Sequence, residues 1–223
     1  FKETADVFKY PPSFFGDVFC WQNYVDVFSR IDFLGMFKNT VIVTLVVVVG
    51  TLLTSSLAGF GFTYLRFKGR DTLFKIFLFA VMIPFHVMLV PTFILMRQLG
   101  LINSLWSLIL PCVVSPIGIF LMRQNYMSIP RSLGEAAAID GCSPLGIFLR
   151  LYVPLSKPAM TTLVIFTFMN TWNDFIRPLI FLNSNEKMTL TLGLYNMVGN
   201  YSTNWGLLMA AVILCLLPIL ILY

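Results

Sequence analysis

Residues 129–154 read IPRSLGEAAAIDGCSPLGIFLRLYVP, from Ile129 to Pro154, and they decide how the rest of the chain is arranged. Uncharged runs of spanning length flank them on both sides, yet this stretch carries Arg131, Glu135, Asp140 and Arg150. A charge held at the centre of a bilayer costs about 2.5–3.5 kcal/mol on insertion scales, so the segment reads as a structured loop in water. Its local signals are helical. Pro130 cannot sit inside a helix, and Ser132 followed by Glu135 has the spacing of a capping box. Leu133 to Asp140 then reads as a short helix built on Ala136, Ala137 and Ala138 and stopped at Gly141. Ser143-Pro144 restarts a second helix as N-cap and first-turn proline. Leu145, Phe148, Leu149 and Tyr152 recur along it at helical spacing, and Pro154 closes the unit. The expected element is a helix–glycine turn–helix with a small-residue face that suits another protein's groove.

Composition sets the class of the remainder. Hydrophobic residues make up 58% and charged residues 11% of the 223, against roughly 45–50% and 25% in soluble domains. With several uncharged runs of spanning length, the chain is expected to be all-α, a polytopic transmembrane helical bundle with a cytoplasmic helix-turn-helix coupling loop. The formal charge of +5 does not indicate nucleic acid, because the basic residues are dispersed and form no stripe with interleaved aromatics. Cys20, Cys112, Cys142 and Cys215 show no CxxC spacing, and the single histidine is His86, so cysteines as small buried hydrophobes are favoured over metal ligands.

Glu135-Ala136-Ala137, three residues, Gly141, nine residues and a hydrophobic-x-hydrophobic-Pro ending at Pro154 resemble the EAA loop of permease subunits in binding-protein-dependent ABC importers. The fuller string Glu-Ala-Ala-x-Ile-Asp-Gly, with Trp172-Asn173-Asp174 downstream, is similar to the maltose-type carbohydrate-uptake branch. The family's loop ends Ile-x-Leu-Pro. Leu151-Tyr152-Val153-Pro154 stands there instead and keeps the bulk and the proline. The resemblance covers nearly the whole chain. It implies docking on an ATPase subunit through Ser132, Glu135, Ala136, Ala137, Asp140, Gly141 and Pro154. It also implies a second permease subunit forming a heterodimer, two cytoplasmic ATPase subunits that bind the ATP and Mg, an extracytoplasmic solute-binding protein, and a carbohydrate substrate. No cofactor is expected on this chain. The competing reading of the loop is that Glu135 only caps a helix and the segment merely links spans.

Five spans are expected in a single domain over 1–223, at about 39–65, 73–96, 103–126, 155–173 and 205–223, with the EAA-like loop at 130–154. The family implies one further span before Phe1, and the apolar end at Tyr223 suggests a missing tail. Residues 1–36, with many charges and Pro11-Pro12, read as a water-exposed or interfacial lead-in rather than a signal peptide. The second half of the first span (Gly50, Thr51, Thr54, Ser55, Ser56, Ala58, Gly59, Gly61) is small enough for close helix approach. Pro84 and Pro91, then Pro111 and Pro116, interrupt the next two spans. The carbonyls they free need partners from neighbours or a cavity. His86 is either a proton relay or substrate contact, or a packed, hydrogen-bonded residue, and the second is favoured.

Alternating spans put Arg66, Lys68, Arg70, Lys75, Arg123, Arg131, Arg150 and Lys157 on one side, crowded into short loops and span ends, with only Asp71, Glu135 and Asp140 as acids. The positive-inside rule counts such residues, so the EAA-like loop is assigned to the cytoplasm of a prokaryotic plasma or inner membrane. At the other end, Asn170, Trp172, Asn173 and Asp174 offer aromatic and polar groups suited to sugar hydroxyls, although Trp at an interface is also an anchor. Asn183, Asn185, Asn196 and Asn200 mark a polar stretch that the resemblance makes a candidate docking loop for the binding protein.

No phosphate-cradling Gly-rich loop, Cys–His pair or HExxH occurs, so the chain is not expected to be an enzyme. A permease for a non-sugar solute is the alternative. An ion-coupled secondary transporter is a weaker one, because it would need buried charges within spans.

Overall fold

A computed structural model describes residue 10, residues 20–198 and residues 204–222. Every regular element among them is helical. The chain forms two compact units, one of Phe1–Ile42, Asn103–Leu105 and Trp172–Tyr223, the other of Val43–Ile102 and Trp106–Thr171.

Helix α2 (Phe33–Thr63) is the longest element and contributes to both units. Its 31 residues extend about 46 Å, more than the roughly 30 Å of a bilayer's hydrocarbon core. It carries Val43 and Val46 to Val49, β-branched residues that are only moderate helix formers in water. In hydrocarbon the backbone has no other donor or acceptor, so the helix is enforced by its own hydrogen bonds. Among the described residues it is the one helix that alone meets the length and hydropathy of a span.

In the second unit, α3 (Arg70–Val81) and α4 (Phe85–Gln98) are bent by 102° at Met82–Pro84. Pro84 carries extended ψ and starts the new helix, while Pro91 is accommodated inside α4. The span expected at 73–96 with prolines interrupting it is thus a broken pair, and the break falls at Pro84. His86 sits exposed at the start of α4 with its ring edge-on to Phe85, so a packed interior place for it is not observed. The expected span at 103–126 is broken as well, into α5 (Trp106–Ile109) and α6 (Pro116–Met127). Ser115 caps α6 by accepting from the Gly118 amide at 3.1 Å, with Pro116 in the first turn. Proline's missing amide leaves carbonyls over between the two, and α2 supplies the donors. The Thr51 hydroxyl donates to the Cys112 carbonyl at 3.0 Å, and that of Thr54 to Val113 at 2.6 Å. The small-residue half of α2 therefore lies directly on α6. A Cβ added at Gly59 would stand 2.9 Å from the Met122 Cβ, so this approach requires glycine.

The 130–154 region folds as α7 (Arg131–Ile139), α8 (Pro144–Ile147), a π-helical turn at Phe148–Tyr152 and α9 (Val153–Leu155). At Ser156 the chain turns by 78° into α10 (Lys157–Trp172).

In the first unit, α1 (Gln22–Arg30) forms within the expected lead-in, buries Val27 and packs against α13 (Trp205–Leu222). Between α10 and α13 lie α11 (Ile176–Phe181), a 3₁₀ turn at Asn185–Lys187 and α12 (Leu190–Asn196). The described part of this polar stretch is therefore folded. Leu190 and Leu192 are buried, and the Thr40 hydroxyl of α2 accepts from the Leu190 amide at 2.9 Å. Asn39 Nδ2 donates to the carbonyls of Glu186 and Met188 at 2.9 and 3.0 Å.

Candidate functional site

The helical hairpin at 131–155 is held by three kinds of contact. The glycine turn is the first. Gly141 has φ +82°, its amide donates to the Ala138 carbonyl at 3.1 Å, and the Cys142 amide donates to Ala137 at 2.9 Å. This is the Schellman pattern, which satisfies carbonyls left over at the end of α7 and favours glycine at the left-handed position. Ser143 then caps α8 by accepting from the Gly146 amide at 3.2 Å, as the Ser-Pro pair predicts. The predicted capping box is different. Helix α7 starts at Arg131 directly after Pro130, with no side-chain cap, and both Ser132 and Glu135 face outward from inside the helix.

An aromatic bed beneath the hairpin is the second contact. Ile147, Phe148 and Tyr152 are buried with Phe60, Met122, Tyr126 and Leu163 in one cluster, with Ala137, Cys142 and Tyr64 packed against it. The Phe60 ring stands 5.0 Å from that of Tyr152 and 5.2 Å from that of Phe148. Burial, with Tyr64 nearby, pushes the Tyr152 hydroxyl above the usual phenol range. The face expected from helical spacing is thus only half right. The π-helical turn rotates the register, so Phe148 and Tyr152 go in while Leu145 and Leu149 stay out, 60% and 54% exposed. Pro154 does not end the helix; it lies exposed in the first turn of α9, and the bend comes at Ser156.

Two hydrogen bonds to the end of α2 form the third. The Tyr64 hydroxyl donates to the Gly134 carbonyl at 3.2 Å, and an Arg131 guanidinium nitrogen donates to the Thr63 carbonyl at 3.0 Å. The second puts a cation on the last carbonyls of a long helix, where the macrodipole favours it. Neither Tyr64 nor Gly134 stood out in the sequence, because the signal is the juxtaposition of positions 70 residues apart.

Above this bed the hairpin presents Ser132, Glu135, Ala136 and Asp140 to the outside, with Ala137 half-buried. Among them stand Leu133 and Ile139, the latter 87% exposed. Large apolar side chains displayed on a charged loop mark an interaction surface.

Beside the hairpin, Asp71 pairs with Arg70 at 3.1 Å and Arg123 at 3.6 Å, and the Arg123 guanidinium lies 3.9 Å from the Phe74 ring centroid. The hydrogen bond from Arg70 holds the Asp71 carboxyl below its ordinary range.

The residues expected at the other end divide. Asn170 at the end of α10 and Asn173 after it are exposed, whereas Trp172 is buried. The Trp172 indole Nε1 donates to the Cys215 carbonyl at 3.2 Å, and its ring meets Phe37 edge-on at 5.9 Å. Asp174 pairs with Arg177 at 3.3 Å; its carbonyl accepts from Thr191 at 2.6 Å, and burial pushes its carboxyl above the ordinary range. Asn183, Asn185 and Asn196 are exposed, and Asn200 lies outside the described residues.

What organises that end is Asn103, a residue with no mark in the local sequence pattern. At φ +59° its side-chain oxygen accepts from the amides of Asn183 and Ser184, both at 3.1 Å, and from the Ser184 hydroxyl at 2.9 Å. Its carbonyl also accepts from Lys187 Nζ at 2.6 Å.

Fold and hairpin together define a helical membrane protein of the permease class. Residues 50–223 match the family described as binding-protein-dependent transport system inner membrane component, and the chain belongs to it. It is 37% identical over 202 residues to the arabinooligosaccharides transport system permease protein AraQ of Halalkalibacterium halodurans, covering 90% of this chain and 72% of that one. It is 36% identical to the lactose transport system permease protein LacG of Rhizobium radiobacter, over 91% of this chain and 74% of that one. Against the sn-glycerol-3-phosphate transport system permease protein UgpE of Pectobacterium atrosepticum the identity is 31%, over 97% and 80%. A crystal structure of a bacterial ABC transporter involved in import of the acidic polysaccharide alginate contains a chain of the same fold. That match has a TM-score of 0.89 at 24% identity, over all of this chain and 84% of that one. The protein is a permease subunit of an ABC importer, and membership in the family implies an assembly with a second permease, an ATPase and a binding protein.

Proposed function

We propose that this chain, with a second permease subunit as a heterodimer, forms the pathway by which a sugar or oligosaccharide crosses a prokaryotic plasma or inner membrane. ATP and Mg are bound by two separate cytoplasmic subunits, and the hairpin at 130–154 faces them. The observation that carries the substrate class is the run of relatives named for arabinooligosaccharides and lactose. The relative named for sn-glycerol-3-phosphate favours a second reading, import of a non-sugar solute.

In the coupling step the outward face of α7 (Ser132, Glu135, Ala136, with Ala137 at its edge, Asp140 and the Gly141 turn) docks on the ATPase. Pro154 stiffens the return. What supports this role is the rigid footing: a hairpin tied to α2 by Tyr64 and Arg131, and continuous with α10 through Ser156, passes on a push as a rigid-body displacement. The chain acts as a single transmembrane domain, with spans near 39–65, 73–96, 103–126, 155–173 and 205–223, the second broken at Met82–Pro84 and the third between α5 and α6. Asn170, Asn173 and Asp174 border the solute pathway, while Trp172 is buried against Phe37 and the Cys215 carbonyl. Asn183, Asn185, Asn196 and Asn200 belong to the surface that meets the solute-binding protein.

The test is to purify this chain with its assembly and measure ATP-dependent uptake of labelled oligosaccharides into proteoliposomes, with glycerol 3-phosphate as the competing solute. Uptake of an oligosaccharide that needs both the ATPase and the binding protein is expected. Uptake of glycerol 3-phosphate alone selects the second reading, and uptake without ATPase subunits overturns both.

A further inference from the structure

Where α2 ends and α3 begins, Arg66, Phe67, Gly69, Arg70, Asp71 and Thr72, together with Arg131, line an open hollow of about 470 Å³. A second hollow, of about 280 Å³, shares Arg70 and Arg131 with it and adds Arg123. Four arginines thus line neighbouring space, with Asp71 as the one acid among the described residues lining it, an excess of positive charge that calls for an anion. The local pairs do not use it up. Asp71 is shared between Arg70 and Arg123; the Arg123 Nε is buried with no hydrogen-bond partner, and Arg66 is exposed with none among the described residues. The volume lies within the roughly 300–1,000 Å³ of small-ligand sites.

Position decides which anion. The hollow stands at the end of the charge-free run of α2, the depth at which a bilayer's headgroups begin. Phe67, which lines it, and Leu65, next to Arg66 in the chain, are exposed. From there α3 carries an outward apolar row, Leu73, Ile76 and Phe79, at 46%, 58% and 66% exposure. A soluble phosphate would use the arginines and leave the row unused. A phospholipid would use both, with its phosphate in the fork of the guanidinium groups and its acyl chains along α3.

We propose that this hollow is a headgroup site for one anionic glycerophospholipid. The bound lipid neutralises the arginine cluster at the foot of α7 and wedges the α2–α3 turn against it. The site is independent of which solute the permease carries.

The experiment uses the assembled transporter in nanodiscs of phosphatidylcholine with a rising fraction of phosphatidylglycerol, then extracts it into detergent and counts retained lipids by native mass spectrometry. Phosphatidylglycerol is expected to be retained in preference to phosphatidylcholine. Arg66→Gln should weaken that preference about fivefold, the worth of one basic residue at an anionic surface. Arg66→Lys should largely restore it, and Arg97→Gln, at the far end of α4, should leave it unchanged. Because Arg66 is exposed and has no bonding partner among the described residues, these variants report binding rather than folding. Equal retention of both lipids, no effect of Arg66→Gln, or displacement by millimolar inorganic phosphate alone would overturn the lipid assignment.

Discussion

Replacing Gly134 by alanine tests whether the hairpin is clamped to α2. A Cβ at this position would stand 2.7 Å from Tyr64 Cε2 and within 3.5 Å of two more ring atoms. The ring cannot easily withdraw. It is stacked on Phe60 at 5.1 Å and meets the edge of Tyr152 at 5.8 Å, while its hydroxyl is bonded to the Gly134 carbonyl. In an isolated helix the change gains about 1 kcal/mol. Here overpacking costs about 1–3 kcal/mol and the strained hydroxyl bond about 1 more, so the net effect is a loss of about 1–3 kcal/mol. For a domain of this size that lowers the apparent melting temperature by about 2–12 °C. Tyr64→Ala removes the obstructing ring, so Gly134→Ala should become neutral or stabilising in that background, with a coupling of about 1–3 kcal/mol. The assay is thermal unfolding of the detergent-solubilised transporter for both single variants and the double variant, with ATP hydrolysed per solute imported measured in parallel. Gly134→Ala should raise that ratio. Additivity within about 0.5 kcal/mol with an unchanged ratio would refute the clamp.

Two other substitutions separate backbone from contact effects. At Gly141 nothing lies within 4 Å of an added Cβ, so Gly141→Ala should cost only the left-handed backbone penalty, about 1–2 kcal/mol; Gly141→Asn should cost less and Gly141→Val more, with solute uptake falling from the Asn variant through Ala to Val. Asn103→Ala removes the acceptor for three donors and leaves an unfavourable φ, for a loss of about 2–3 kcal/mol; hydrogen exchange of the Asn183 and Ser184 amides should accelerate, and Asn103→Gly should recover only the backbone part.

What the sequence made legible follows the reach of each signal. The charged hairpin, its glycine stop and the Ser143-Pro144 restart were readable because capping and left-handed turns are set by residues a few positions apart. The same grammar at Ser115-Pro116 marks the helix start inside the expected third span, where the prolines already signal an interruption. Helical spacing groups Leu145 and Leu149 with Phe148 and Tyr152, yet both leucines face outward, since a π-helical turn shifts register without any mark in hydrophobic spacing. Trp172 suited a pathway lining by type, yet its burial depends on Phe37 and Cys215, far away in the chain. Asn103, Tyr64 and Arg131 act over separations of 68 to 84 residues, where local pattern carries no information.

The claim that the hairpin meets the ATPase is tested most directly by photo-cross-linking. A photoreactive amino acid replaces Ile139, the most exposed apolar side chain of α7, in the assembled transporter. An adduct with the ATPase subunit is expected there, and one with the solute-binding protein when the probe stands at Asn183. Adducts of the Ile139 probe with lipid or the binding protein alone, and none with the ATPase, would contradict the account.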